Sequence, residues 1–466
     1  MKLRIKGYIG ALMMVCVCAA CEDDTDKGGP DADQPKEATY LLYMVGQNDL
    51  KQYLNANISD MKIGYGKSDI NANVLVYADI SSVPTLYLIG KDNSGKVQQT
   101  TVKTYPDQYS VDPEVMKEVI NDVFTLYPAQ RKGVAFSSHA NGSLYTPDTV
   151  RKRAFGDEEN GYSMNITDIR EALEGCPYMD MVMFDACLMA NMETAYELKD
   201  RAHYFLAAPN SIPAEGFPYD KALPYLLKMD AAGLARAAHT YMKHFQNNDV
   251  EWDDFVSISV SDLSQMDALA LYMDSLFQDE AVQYHLMKVD RDGLQMFETG
   301  FPLYDYGEWV DSVGLSSPYV PKIRNILDEA VVYKDHGDYS TVNDYTAMPE
   351  IPIKDGAFSG LSTYVPPKVS QLLQPGYDML MMRFFTSLKW YRDAGFWRVP
   401  LYNIFAVIIL TLESNNKENF GDNSRIKHAM INILKNPIII GIFFGLAASF
   451  LNISFPRMID KTINNL

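Results

Sequence analysis

The feature that most limits how this chain can fold is an apolar run that stops abruptly at Asp185, Ala186 and Cys187. The run begins at Met179 and reads MDMVMFD. A short, continuous apolar run of this kind predicts a strand that is buried on both faces of a parallel sheet. Ligands bind at the carboxyl ends of such strands in open α/β sheets. The sequence therefore predicts that Cys187 lies at a ligand-binding edge.

A second apolar strand pattern ends beside a histidine. The segment GVAFSS, from Gly133 to Ser138, leads to His139 and then to the turn ANG. His139 precedes Cys187 by 48 residues. A thiolate nucleophile needs a base or a cation beside it, and two neighbouring strand ends bring such a pair together without proximity in sequence. The pattern predicts His139 and Cys187 as a catalytic pair.

The surrounding sequence alternates strand patterns with helix patterns. Strands are predicted at 39–45, 73–79, 85–89, 204–208 and 254–260, and helices at 50–63, 112–124, 165–173, 190–201, 231–245 and 263–277. This alternation predicts an α/β fold with a mostly parallel sheet and helices on both faces. The helix from Ala190 begins close to Cys187, so its dipole is expected to lower the pKa of the thiol.

Several of these segments resemble the clostripain family of cysteine peptidases. They are Tyr43-Met44, Asn48-Asp49-Leu50, Ser138-His139 and, most specifically, DACLM at 185–189. The resemblance runs from about residue 38 to about residue 396. It implies a caspase-like three-layer α/β sandwich, a His139–Cys187 dyad and cleavage of peptides or proteins after Arg or Lys. In caspases, too, the histidine precedes the cysteine by about 50 residues.

The resemblance also implies roles for four further groups. The backbone N–H groups of Cys187 and Ala140 would form the oxyanion hole, and Asp185 and Glu215 would line the pocket for a basic side chain. The family usually has Gly where this chain has Ala140, and a positive φ costs Ala more than Gly. Asp185 has a second interpretation, because an Asp at a strand end often caps a helix.

The basic cluster Arg151, Lys152 and Arg153 lies between the two catalytic candidates. By resemblance, this region holds a self-cleavage site that frees the active site. A solvated surface loop with three incidental charges is the alternative interpretation.

The N-terminus has the plan of a bacterial lipoprotein signal. Residues 1–21 carry basic residues, an apolar stretch and small residues before Cys21, which would be lipidated. An ordinary cleaved signal is the alternative. Residues 22–37 are predicted to be a disordered tether. Together with a lipidated Cys21, this predicts a cell-envelope protein that is lipid-anchored to the outer membrane, on its periplasmic or cell-surface side. The mature chain keeps Cys176 and Cys187, which we predict to be free thiols rather than a disulfide.

The net charge and the spacing of the histidines limit which binding partners and cofactors this chain is predicted to have. The net charge of −19 at pH 7 argues against nucleic acid, since a phosphate backbone would be repelled. No histidine stands in zinc-binding spacing with an acid, so no metal or other cofactor is predicted. Some members of the family use calcium, and this sequence does not decide that point.

The last 70 residues differ from the rest. Residues 397–466 contain two apolar stretches around a polar run and resemble an internal fragment of an auxin-efflux-carrier-type permease. We interpret this apolar tail as foreign to the peptidase domain at 38–396, as a fusion or an artefact of gene assembly. Two functions of different class stay open: a lipid-anchored cysteine endopeptidase, and a catalytically impaired surface-binding lipoprotein on the same fold.

Overall fold

The computed structural model describes residues 36–142, 155–156, 162–246, 254–286, 289–298, 301–340, 351–354, 356–366 and 377–399. The predicted signal peptide with Cys21, the tether up to residue 35, the basic cluster Arg151–Arg153 and the tail from residue 400 lie outside the described residues.

Twelve strands are described. They are β1 (Lys36–Val45), β2 (Ala72–Asp79), β3 (Thr85–Lys91), β4 (Val97–Thr104), β5 (Ala129–Ser137), β6 (Met179–Asp185), β7 (Ala202–Ala207), β8 (Ser257–Asp262), β9 (Met296–Glu298), β10 (Phe301–Asp305), β11 (Val331–His336) and β12 (Ser362–Tyr364).

Nine of these strands form the main sheet, in the order β11-β8-β7-β6-β5-β1-β2-β3-β4. The five central strands, from β7 to β2, are parallel to one another. The outer strands on both sides are antiparallel. The predicted α/β fold with a mostly parallel sheet is confirmed. The antiparallel pairing of the outer strands was not predicted. Strands β12, β10 and β9 form a separate small sheet.

The described α-helices connect and cover these strands. They are α1 (Lys51–Lys67), α2 (Pro113–Leu126), α3 (Ile166–Glu174), α4 (Met192–Leu198), α5 (Tyr219–Leu226), α6 (Ala231–Gln246), α7 (Met266–Leu276), α8 (Glu280–Leu286), α9 (Tyr306–Gly314), α10 (Tyr319–Ala330), α11 (Tyr377–Ser387) and α12 (Lys389–Asp393). The predicted start of α2 is confirmed, because the Asp112 side chain accepts a hydrogen bond from Glu114 N at 2.9 Å and Pro113 follows it.

The central strands are buried on both faces, which explains their continuous apolar sequences. In β1, Tyr43 and its neighbours two residues away pack into one core with α2, α3 and α7, while Leu42 and its neighbours pack into a second core with α1, α5 and α6. Successive side chains of a strand point to opposite faces, so a strand between two helical layers needs apolar residues at nearly every position.

The compact part of the chain extends beyond the predicted limits at both ends. β1 begins at Lys36, whereas the fold was expected from residue 38, because Lys36 pairs with Ala129 and Glu37 N donates to Asn71 O at 2.8 Å. At the other end Val399 is buried in the first core, three residues past the expected end at 396. None of the helices in the described ranges is long and apolar enough to span a bilayer.

Candidate active site

The two catalytic candidates follow neighbouring parallel strands at matched positions. β5 and β6 are adjacent, and Ser137 at the end of β5 pairs with Asp185 at the end of β6. His139 and Cys187 each lie two residues beyond this pair. The Ser138 hydroxyl donates to Val45 O at 2.6 Å, which ties the exit of β5 to the end of β1. Strand register therefore delivers both side chains to the carboxyl edge of the sheet.

The loops that follow the two strands are packed against each other. Gly142 has a φ of +76°, and a Cβ atom at this position would lie only 2.8 Å from the Leu188 carbonyl oxygen. Asn191 Nδ2 donates to the same carbonyl at 2.9 Å. Leu188 itself has a φ of +64°, which is uncommon for a residue with a side chain. This close approach holds the histidine loop against the cysteine turn.

The Cys187 thiol is held by the loop that follows β7. Ile212 N donates a hydrogen bond to Cys187 Sγ at 3.4 Å. Burial raises the pKa of the thiol; the Ile212 N–H opposes the shift, and the charge of Glu298 adds to it. The predicted lowering of this pKa by a helix dipole is wrong. Desolvation is the largest cause of the shift, and α4 starts at Met192 rather than Ala190 and has only seven residues.

The His139 ring contacts an acid that the sequence placed only within a family motif. His139 Nε2 lies 2.6 Å from Asp49 Oδ1. The His139 side chain is 21% exposed, whereas that of Asp49 is 79% exposed. Asn48 Oδ1 accepts from Leu50 N at 2.9 Å and shapes the loop that presents Asp49. A carboxylate on one ring nitrogen orients a histidine and favours the tautomer that bears a proton there.

The two candidate oxyanion donors have no acceptor within the described part of the chain. Neither Cys187 N–H nor Ala140 N–H donates a hydrogen bond to any described residue. Gly156 N donates to His139 O at 2.9 Å, which holds the backbone before Ala140. The positive φ of this loop falls on Gly142 and not on Ala140, so the alanine carries no backbone strain. The oxyanion role of the two N–H groups stays a prediction.

Asp185 is enclosed beneath the site. Its Oδ1 accepts from Phe217 N at 3.0 Å, and its Oδ2 accepts from the Tyr219 hydroxyl at 2.9 Å. Gly216, with a φ of +67°, passes so close that a Cβ atom would lie 2.8 Å from both oxygens. Burial raises the pKa of Asp185 to about 6. Asp185 thus anchors the loop before α5, and the N-cap of α4 is Asn191.

Glu215 is exposed on the same loop. Its charge acts on His244 of α6, where it opposes the lowering of the pKa that burial and Lys221 cause. No described contact joins Glu215 to Asp185 or to Cys187. The two acids predicted for the basic pocket are thus separated by burial, one inside the protein and the other in solvent.

A different acid lies near the thiol. Glu298, the last residue of β9, accepts a hydrogen bond from the Ser211 hydroxyl at 2.7 Å. Ser211 directly precedes Ile212, which contacts Cys187 Sγ. Neither residue was predicted, because Glu298 is far from the catalytic candidates in sequence and stands in no recognisable motif.

Comparison with known proteins agrees with this geometry. A family model described as the clostripain family matches residues 42–387. The chain belongs to the clostripain family. Clostripain of Hathewaya histolytica is 24% identical over 230 residues, which are 42% of this chain and 43% of that protein. The matched region therefore spans less than half the length of that curated relative.

Solved structures of the clostripain family cover more of the chain. A secreted C11 cysteine protease from Bacteroides thetaiotaomicron, in complex with an irreversible peptide inhibitor, is 27% identical with a TM-score of 0.67. An inactive zymogen C11 protease from Parabacteroides distasonis is 26% identical with a TM-score of 0.66. Each match covers 78% of this chain and 99% of the other chain. These matches confirm the predicted family and fold.

The remaining cysteine of this clostripain-family chain is not part of the site. Cys176 and Cys187 are both free, so the predicted absence of a bridge between them is confirmed. Burial raises the pKa of Cys176 to about 12, and its thiol contacts Ala172 O at 3.3 Å. The described residues contain no cluster of three metal-ligating side chains. The predicted self-cleavage residues Arg151, Lys152 and Arg153 and the predicted lipidation site Cys21 lie outside the described residues.

Proposed function

We propose that this chain is a cysteine endopeptidase in which Cys187 is the nucleophile and His139 is the general acid and base. The parallel register of β5 and β6 carries the proposal, since it sets both residues two positions past a directly paired Ser137 and Asp185. Membership of the clostripain family supports the same roles.

The raised pKa of Cys187 determines how the reaction begins. Burial raises the pKa of the thiol, so we propose that His139 takes its proton as Sγ attacks the peptide carbonyl carbon. The carbonyl oxygen becomes an oxyanion, which the N–H groups of Cys187 and Ala140 stabilise. The C–N bond then breaks, and His139 returns the proton to the leaving amine. Water, deprotonated by His139, hydrolyses the resulting thioester.

The substrates that we propose are peptides or proteins cut after Lys or Arg. A protein of net charge −19 attracts basic substrates at long range. Cleavage after a basic residue would also extend to Arg151, Lys152 or Arg153 of the chain itself. Lipidation of Cys21 would hold the enzyme at the outer membrane, and one of the similar structures is described as a secreted protease. We propose no cofactor, and calcium dependence is an outcome to measure by chelation.

The decisive experiment compares Cys187→Ala with Cys176→Ala in the full-length chain. Both variants lose one free thiol, but only Cys187 lies at the strand edge. We expect Cys187→Ala to reduce kcat for Lys and Arg fluorogenic peptides by at least about 10⁴-fold, and Cys176→Ala to leave it within about twofold. Equal activity of the two variants would refute the proposed nucleophile.

A surface-tethered binding protein on the same fold is the second candidate. The raised pKa of the Cys187 thiol favours it, because a neutral thiol is a weak nucleophile. This candidate requires the folded wild-type chain to bind basic peptides without hydrolysing them and without labelling of Cys187 by thiol-reactive peptides.

A further inference from the structure

We propose that Glu298 is a specificity-determining residue that selects substrates with a cationic side chain directly before the scissile bond. This inference rests on the proposed peptidase function and adds to it a residue outside the family motifs. It assigns to the partly exposed Glu298 the role that the sequence predicted for the exposed Glu215.

The position of Glu298 is set by the loop that also holds the nucleophile. Ser211 Oγ donates to Glu298 Oε2 at 2.7 Å, and the adjacent Ile212 N donates to Cys187 Sγ at 3.4 Å. Two consecutive residues therefore contact the acid and the thiol. The charge of Glu298 acts on Cys187, so in the proposed complex its carboxylate faces the side chain that flanks the carbonyl under attack.

The strand that carries Glu298 is fixed to the same region. Glu298 pairs with Phe301 in the small sheet, and the Ser340 hydroxyl donates to Met296 O at 3.2 Å. Asn210, at the start of the loop, donates through Nδ2 to Ser340 O at 3.1 Å. These bonds join β9 to the loop at 210–212, so the carboxylate is preorganised rather than carried on a free surface loop.

The other two acids considered for this role are placed less well. Asp185 is buried, and both of its oxygens already accept hydrogen bonds from Phe217 and Tyr219. Glu215 is exposed, and its charge acts on His244 rather than on the thiol. Glu298 is partly exposed, and its charge contributes to the raised pKa of Cys187. Of these three acids, Glu298 combines access from solvent with an electrostatic effect on the nucleophile.

This arrangement links selectivity to reactivity. In the free protein the negative charge of Glu298 disfavours the Cys187 thiolate. A Lys or Arg side chain bound at Glu298 neutralises that charge, so the same cation that is recognised also lowers the cost of ionising the thiol. A neutral side chain of equal length binds without this effect. We therefore expect selectivity to be expressed in kcat as well as in KM.

The test compares Glu298→Gln with Glu215→Gln, which removes an equal charge from the loop between β7 and α5. The full-length variants are assayed with peptides that carry Lys or the uncharged norleucine before the scissile bond. We expect Glu298→Gln to reduce the Lys-to-norleucine ratio of kcat/KM by about tenfold, the scale of one charge-assisted hydrogen bond, and Glu215→Gln to leave it unchanged. Ser211→Ala keeps the charge but releases the carboxylate, so we expect a smaller loss.

A second measurement does not depend on turnover. The rate of Cys187 alkylation by iodoacetamide is followed against pH, and its midpoint should move to lower pH in Glu298→Gln but not in Glu215→Gln. An unchanged selectivity ratio in active Glu298→Gln overturns the inference, even if the midpoint moves. If the wild-type chain hydrolyses neither peptide and a Lys peptidyl ketone does not label Cys187, the proposed function and this inference both fail.

Discussion

At the scale of single residues, the site depends on how burial and hydrogen bonds set the state of two side chains. Burial raises the pKa of the Cys187 thiol, so the proposed reaction depends on a correctly oriented His139. The only described side-chain hydrogen bond of His139 is the one to Asp49, at 2.6 Å. Asp49 contacts the histidine ring, so we regard it as a positioning residue.

Replacing Asp49 by Asn should therefore impair turnover without affecting substrate binding. We expect Asp49→Asn to reduce kcat for a Lys peptide by about tenfold while KM changes less than about twofold, because the ring loses its ionic partner but not its place in the fold. Steady-state kinetics measures the two constants separately.

Asp267→Asn is the control, since Asp267 is 74% exposed and Asp49 is 79% exposed, and Asp267 pairs with Lys199 away from the site. A loss of kcat as large in Asp267→Asn as in Asp49→Asn would mean that general surface charge, and not orientation of His139, is responsible.

At the scale of elements, α4 is joined to its surroundings by two buried glutamates. Glu193 Oε1 accepts from the Thr363 hydroxyl at 2.8 Å and from Tyr364 N at 2.9 Å, which ties α4 to β12. Glu197 pairs with Arg170 of α3 at 3.0 Å. Because α4 follows the nucleophile turn directly, these bonds also hold the turn.

The second oxygen of Glu193 has no described partner, and burial raises the pKa of this residue to about 7. The folded state therefore binds more protons than the unfolded state between about pH 4.5 and 7, and stability falls as pH rises through this window. We expect Glu193 to contribute about 3 kcal/mol to the decrease in the free energy of unfolding across this pH window.

Glu193→Gln should remove that part of the pH dependence, since the amide does not ionise. Urea unfolding of both proteins at pH 5 and pH 8 measures it, with the exposed Glu114→Gln as control. A variant that loses stability between the two pH values as steeply as the wild type would contradict this account.

At the scale of the whole molecule, the core continues past the end of the family match at residue 387. Trp390, Phe396 and Val399 are fully buried. The centroid of the Phe396 ring lies 5.0 Å from that of Phe385 and 4.9 Å from that of Phe277. Arg398 Nε pairs with Asp274 Oδ1 of α7 at 2.7 Å. The segment that follows α12 therefore completes the core on one face of the sheet.

The neighbouring residues Phe396 and Trp397 give a matched test of this packing. Phe396 is fully buried, whereas Trp397 is 43% exposed. We expect Phe396→Ala to lower the free energy of unfolding by about 3 to 5 kcal/mol and Trp397→Ala to lower it by less than about 1 kcal/mol. Denaturant unfolding measures both, and similar losses in the two variants would refute the assignment of Phe396 to the core.

The sequence by itself determined the parallel centre of the sheet, its burial between helical layers and the chain positions of His139 and Cys187. Apolar runs without polar alternation have one stable place, between two helical layers, and a residue that follows such a run must emerge at the sheet edge. The edge strand β4 was not predicted, because VQQTTVKT is mostly exposed and carries no apolar pattern.

Only the tertiary structure decided which acid lies beside the histidine, which lies beside the loop that holds the thiol, and which stays in solvent. Asp49, Glu215 and Glu298 are all carboxylates in loops or at strand ends, and no local pattern tells which of them lies beside the histidine or the thiol. The chain fold brings Asp49 to His139, Glu298 to the loop that holds Cys187, and leaves Glu215 in solvent. The sign of the shift in the Cys187 pKa was decided in the same way, since desolvation depends on what surrounds an atom in space and not on its neighbours in sequence.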